Sequence, residues 1–161
     1  MAFSFEVTGM DKLIGNMDKL KEQAPHVAAR GLYDGAGVVA DAVSRAVQGI
    51  ATEPFKYAKS GTKRKPSPEE KAIVAGARHG VAKFRNTGVN VQTSVGFQNA
   101  GYGTLKGKTK PVPLIANAIN SGTSFMQKQP FMRKAFSQSK GAATAKIEAT
   151  ILEEMEKLNI D

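Results

Sequence analysis

The sequence predicts an α+β domain, with long N-terminal and C-terminal helices packed on a small, mainly antiparallel sheet and with extended basic loops. Three observations carry this. After Pro25, an apolar stripe runs through Val27/Ala28, Leu32, Ala36, Val39, Val43, Ala46/Val47 and Ile50 at helical spacing. A second stripe, Phe131, Ala135, Phe136, Ile147, Ile151, Met155 and Leu158, marks a terminal helix with a bend expected near Gly141. Between them Val89, Val91, Thr93, Val95 and Phe97 alternate with polar or small residues, the period of a half-buried strand.

In chain order, Phe3, Phe5 and Val7 alternate as a first strand that Gly9 ends, and Leu13, Ile14, Met17 and Leu20 form a small amphipathic helix after Asp11. Pro25 suits the first turn of a new helix, because its missing N–H has no partner there in any case. In that helix Ala, Gly31, Gly35 and Gly37 leave room for a close neighbour, either within the chain or on another subunit; each interior Gly costs about 1 kcal/mol relative to Ala. Residues 54–66 read as a projecting basic loop with Lys63, Arg64 and Lys65 at its tip. Ser67-Pro68-Glu69-Glu70 is a capping box: Ser67 accepts the Glu70 N–H and the Glu70 carboxylate reaches back, so a short helix with Ile73, Val74 and Ala77 follows. Residues 99–112 read as a second projecting loop carrying Lys106, Lys108 and Lys110, too polar for core. Pro113 opens a run with Leu114, Ile115, Ala118 and Ile119 on one face, and Gly122 and Thr123 end it. Pro130 then opens the last helix.

A chain of 161 residues fits one domain. Hydrophobic residues at 41%, with 16 Gly and 7 Pro, suggest long arms and a fold completed in part by neighbouring subunits. There is no Cys, which excludes disulfides, thiolate zinc sites and a thiol nucleophile, and a reducing cytoplasm suits such a chain. With no basic apolar leader and no long apolar run, neither export by a signal peptide nor membrane spanning is expected.

Charge is segregated along the chain. Residues 1–55 hold 5 basic and 7 acidic groups, residues 56–147 hold 17 and 2, and residues 148–161 hold 1 and 5, giving −2, +15 and −4. The basic middle cannot neutralise itself locally. Solvated loops, proximity to phosphate or DNA, and an acidic neighbouring subunit all remain open as its counterpart.

Enzymatic chemistry finds little support. Residues 103–109 approach a phosphate-binding loop, but Tyr102 stands where the motif needs Gly, and Pro111 and Pro113 interrupt the helix that must follow. His26 and His79 lie apart with no ligand pattern around them, Asp34 and Asp41 share only a helical face, and Glu69/Glu70 are explained by capping. No enzyme activity, metal or cofactor is expected. Phe55, Tyr57, Phe84 and Tyr102 lie among basic residues, which keeps a sequence-independent nucleic-acid-binding module as the alternative function.

The ordered combination of an apolar helix, Gly122-Thr123, a short polar connection and Gln129-Pro130-Phe131-Met132-Arg133-Lys134-Ala135-Phe136 resembles the neck and tail-completion proteins of long-tailed double-stranded-DNA bacteriophages. Lambda minor tail protein Z is a distant relative of that family. An aromatic, an Ala, a β-branched residue and a Glu usually precede its Gly-Thr; the matching positions here are Ile115, Ala116, Ile119 and Asn120, so the Glu has become Asn. Thr87-Gly88 before Val89 and Val91 is similar to a second family turn. The resemblance implies a structural virion protein at the head–tail junction, assembled in the host cytoplasm, that completes the tail and joins it to the head as a homo-oligomeric ring, a hexamer favoured over a dodecamer. Its implied partners are tail-terminator, tail-tube or head-connector proteins, with genomic DNA passing nearby. In that setting Gly122, Thr123, Pro130 and Phe131 fix the turn and anchor the last helix, and Asn120, Arg133 and Lys134 are candidates for subunit or partner contacts.

Overall fold

In a computed structural model, residues 10–81, 85–86, 91–93, 95–98 and 101–158 are described. The expected strand at Phe3, Phe5 and Val7, together with Phe84 and the Thr87-Gly88 turn with Val89, lies outside them. The fold is α+β and mostly helical. Its frame is an antiparallel pair, α1 (Met10–Gln48) and α4 (Phe131–Lys157), joined by the short helices α2 (Pro68–Gly76) and α3 (Val112–Ser121) and by three two-stranded antiparallel ladders.

The expected break at Pro25 is absent: one helix runs through it. Proline at that point removes a single donor to the carbonyl of Lys21, and the regular backbone on either side carries the helix across. Toward its end α1 buries Ala40, Val43 and Val47, and Ile50 just beyond it joins them in the core with Val74, Ile115, Ile119, Met126 and Phe131.

The α1–α4 seam is built from small residues. A Cβ on Gly31 would lie 2.8 Å from Ile151 Cγ1, and one on Gly35 would collide with Ile147 and come within 3.0 Å of the Ala143 carbonyl, so these two glycines are where α4 presses onto α1. Gly37 faces open space. On α4 the buried positions Phe131, Ala135, Ser139 and Ala143 step by four, and Thr150 Oγ1 donates to Asp34 at 3.0 Å across the seam. Phe136 and Met155, expected inside, are exposed, as is Leu152. Gly31 and Gly35 leave the room that the Ile151 and Ile147 side chains fill, while Phe136, Leu152 and Met155 stand on other sides of α4.

The expected single strand through Val91, Thr93, Val95 and Phe97 is two. β3 (Val91–Gln92) pairs with β2 (Arg85–Asn86), and β4 (Val95–Gln98) with β1 (Arg78–Val81), in registers offset by one residue. The ladders lie against α1, and Phe97 packs on the core.

The segment 99–112, expected as a loop, contains a hairpin of β5 (Tyr102–Leu105) and β6 (Lys108–Pro111). Its two-residue turn places Lys106 at φ 48° and Gly107 at φ 75°, the left-handed pair that matches strand twist in a tight hairpin. Gly103 is buried because Ile73 of α2 sits 2.5 Å from where its Cβ would be. In α3, Val112, Ile115, Ala116 and Ile119 face the core while Leu114, expected there, is exposed.

Candidate functional site

The residues that carry the family resemblance form a joint clamped from three sides. α3 ends where the Gly122 N–H donates to the Ala118 carbonyl at 3.0 Å, and Gly122 takes φ 76°, which a β-carbon would strain. Thr123 closes the next turn: its N–H donates to the Met126 carbonyl at 3.1 Å, and its Oγ1 accepts from Met126 N at 3.0 Å and Phe125 N at 3.3 Å. The Gln129 amide then spans to Ala51 after α1, accepting the Ala51 N–H at 3.0 Å and donating to its carbonyl at 2.7 Å. No local signal in the sequence marks that pairing, because its partners lie 78 residues apart.

Pro130 stands just outside α4 rather than inside it, and Phe131 is the first helical residue. Proline has no side-chain acceptor to cap the helix. The Oδ1 of Asn120, at the end of α3, supplies one by accepting the Met132 N–H at 3.2 Å. Asn120, expected as a contact for a partner, is thus engaged within the chain, and Phe131 is buried in the core.

Arg64 requires a correction. Expected at the tip of a projecting loop, it is buried, and its main chain pairs with the joint: Arg64 N donates to the Phe125 carbonyl at 2.9 Å and Gln127 N donates to the Arg64 carbonyl at 2.8 Å. Extended backbone alternates side-chain direction, so Lys63 and Lys65 point to solvent while Arg64 points inward. There its Nη1 and Nη2 donate to Glu70 Oε2 and Oε1 at 2.7 and 2.6 Å, and its guanidinium carbon lies 4.7 Å from the Phe55 ring centre. The capping box is formed, with Ser67 N donating to Glu70 Oε2 at 2.7 Å and Glu70 N to Ser67 Oγ at 3.2 Å. Burial pushes the Glu70 carboxyl upward, but hydrogen bonds from Arg64 and Ser67 outweigh it and hold the group below its ordinary value. The Glu70 bond also raises Arg64 against the opposing effect of burial.

The remaining basic candidates surround this joint. Lys106 Nζ, at the hairpin turn, lies 3.4 Å from the Phe55 ring centre and 5.5 Å from that of Tyr57, so the two basic segments are clipped together rather than independent arms. Lys63, Lys65, Lys106, Lys108 and Lys110 are exposed, and among the described residues none of them is in an ion pair.

No family model, curated protein or solved structure matches this chain. Its chemistry therefore rests on its own geometry.

Arg133 and Lys134 are exposed on the first turn of α4 on different sides. Arg133 lines a groove of about 650 Å³ between α1 and α4, and Lys134 lines a smaller one of about 280 Å³ with Gly49, Ile50 and Gln129. Among the described residues, no cluster of His, Asp or Glu is arranged to hold a metal ion, and no helix is long and apolar enough to cross a membrane. His26 is exposed on α1, and Asp34 is bonded to Thr150 rather than paired with Asp41.

Proposed function

We propose that this chain is a structural virion protein at the head–tail junction of a long-tailed bacteriophage, completing the tail and joining it to the head as a subunit of a homo-oligomeric ring, a hexamer in preference to a dodecamer. The observation that carries this reading is the joint at residues 119–132. The residues that resemble the tail-completion family, Gly122, Thr123, Pro130 and Phe131, are those that fix the angle between α3 and α4, with Asn120 capping across the gap. A subunit of a ring needs such a rigid element, since a small error in angle at each contact prevents closure. Tail-terminator, tail-tube or head-connector proteins are the partners expected above and below the ring.

The test is made in the virion. Particles assembled without this protein should accumulate as separate full heads and tails, and density for a tagged copy should sit at the junction in particle images. Normal joined particles lacking the protein overturn the reading.

A second reading, sequence-independent nucleic-acid binding, is favoured by Tyr57, which is 84% exposed beside Phe55 and Lys106. An exposed ring among cations stacks on bases while the cations meet phosphates. It predicts that the isolated chain retains DNA with an affinity falling steeply with salt, and that Tyr57→Ala weakens retention on single strands. Absence of binding at low salt eliminates it.

A further inference from the structure

The α1–α4 groove is open and apolar, with Leu32, Ala36 and Val39 on one wall, Phe136 and Ile147 on the other, and Val95 of β4 also lining it. Phe136 is 57% exposed at the edge of this groove, so its ring adds to an apolar surface rather than to the core. Among the described residues, the charged ones lining the groove are Arg133 and Lys140, and none is acidic. These three residues follow one another at i, i+3 and i+7 on α4. They form a stripe of cation, ring, cation about 10 Å long at 1.5 Å per residue.

The far end of the same helix carries the opposite arrangement. Leu152 is 62% exposed and Met155 is 37% exposed. Glu148 and Glu156 stand one turn before and one turn after Leu152, also exposed, giving a stripe of anion, apolar pair, anion about 12 Å long. Glu153 and Glu154 are held by Lys157 at 2.9 Å, so Glu148 and Glu156 are the carboxylates left to solvent on this stripe.

We propose that the 148–156 stripe of one copy docks in the α1–α4 groove of the next. The occupant is a second copy because the two stripes match in length, in apolar centre and in sign of charge, and because they cannot meet within one chain. Phe136 and Leu152 are separated by about 24 Å of continuous helix. Since the two surfaces differ, the contact is heterologous and propagates from copy to copy. It names the subunit interface of the ring reading above and rests on that reading only for closure into a ring; the docking itself follows from the two stripes.

Charge reversal tests it. Arg133→Glu with Lys140→Glu, and separately Glu148→Lys with Glu156→Lys, should each give a folded monomer by sedimentation where the parent chain self-associates. Mixing the two variants should restore association, since the acidic groove of one then meets the basic helix end of the other and the reverse contact also matches. Failure of the mixture to assemble overturns the proposal.

The cysteine-free chain offers a second readout that does not depend on charge. Phe136→Cys with Met155→Cys should give a ladder of disulfide-linked oligomers on oxidation, because the two sites are about 28 Å apart in one chain and no bridge spans that distance. Each single-cysteine variant can give at most a dimer.

A parent chain that stays monomeric and gives no ladder overturns the contact. Association that survives both charge reversals overturns it while leaving a ring with another interface standing. Loss of association on removing residues 1–9, with the reversals silent, assigns the groove to that segment instead. Failure of the ring reading itself shows in the particle images, independently of these outcomes.

Discussion

The guanidinium of Arg64 and the carboxylate of Glu70 meet end to end, at 2.7 and 2.6 Å, with both side chains 7% exposed. One ion pair thereby ties three segments that are distant in sequence: the 54–66 connection, the N-terminus of α2, and the 123–127 turn paired to the Arg64 main chain. Removing one member of a buried pair leaves the other charge without compensation, and the typical cost is about 3–5 kcal/mol. Glu70→Ala also loses half of the capping box. Its unfolding free energy in denaturant should fall by at least that range, whereas Lys63→Gln and Lys65→Gln should stay within about 0.5 kcal/mol of the parent. Equal effects at all three positions contradict the inward orientation of Arg64.

The same pair sets a pH dependence. The folded-state value of Glu70 is depressed, so the unfolded chain takes up its proton first as pH falls. The stability that Glu70 contributes is complete above its unfolded value, roughly 4.3, and is lost as pH falls through the lower folded value. The gap in melting temperature between the parent and Glu70→Gln should be constant near neutrality and shrink on acidification below that point. A gap that widens in acid reverses the sign of the shift and contradicts the pairing.

Gly35 and Gly37 lie two residues apart on α1 and should respond in opposite directions to Ala. At Gly35 the added methyl meets Ile147 and the Ala143 carbonyl, and overpacking of this kind costs about 1–3 kcal/mol. At Gly37 nothing lies within 4 Å, so the gain in helix propensity, about 0.5–1 kcal/mol, goes uncompensated by any clash. Thermal unfolding of the two variants checks the pair together. Destabilisation by both shows that the outer face of α1 is also covered.

What the sequence made legible was what short spacing encodes. Ser67 and Glu70 stand at the separation of a capping box, and the box is there. The glycines at 31 and 35 recur one turn apart and mark the close approach of α4. Arg64 was hidden because a Lys-Arg-Lys run looks uniformly solvated until the backbone is known to be extended, and its bridge partner is Met126, 62 residues away. The hairpin at Lys106-Gly107 was hidden for a different reason: a lysine at positive φ is uncommon, so only Gly107 signalled the turn. The exposure of Phe136 could not be read from helical period alone, because that period locates a face without saying which of its apolar residues, Ile147 and Ile151 here, the facing glycines leave room for.

Phe131 is 4% exposed within the core cluster and sits at the first position of α4. Phe131→Ala removes the ring and leaves a cavity in the core cluster that it shares with Met126 and Ile119, at a cost of about 3–5 kcal/mol. Equilibrium unfolding measures it, and an unchanged stability contradicts the packing.

Asn120 makes the sharpest local prediction, because one hydrogen bond connects the end of α3 to the start of α4 where Pro130 provides no cap. Asn120→Ala leaves the Met132 N–H without its acceptor and should cost about 1 kcal/mol, in the usual range for a lost N-terminal cap. Asn120→Asp keeps the acceptor and adds a negative charge at the positive end of the helix dipole, a gain of about 0.3–1 kcal/mol when the site is partly exposed. The order Asp, Asn, Ala in stability, with faster hydrogen exchange at Met132 in the Ala variant, identifies the cap. Indifference to all three substitutions shows that the bond contributes nothing, and that the angle between α3 and α4 is held by Gly122 and the Gln129 clamp alone.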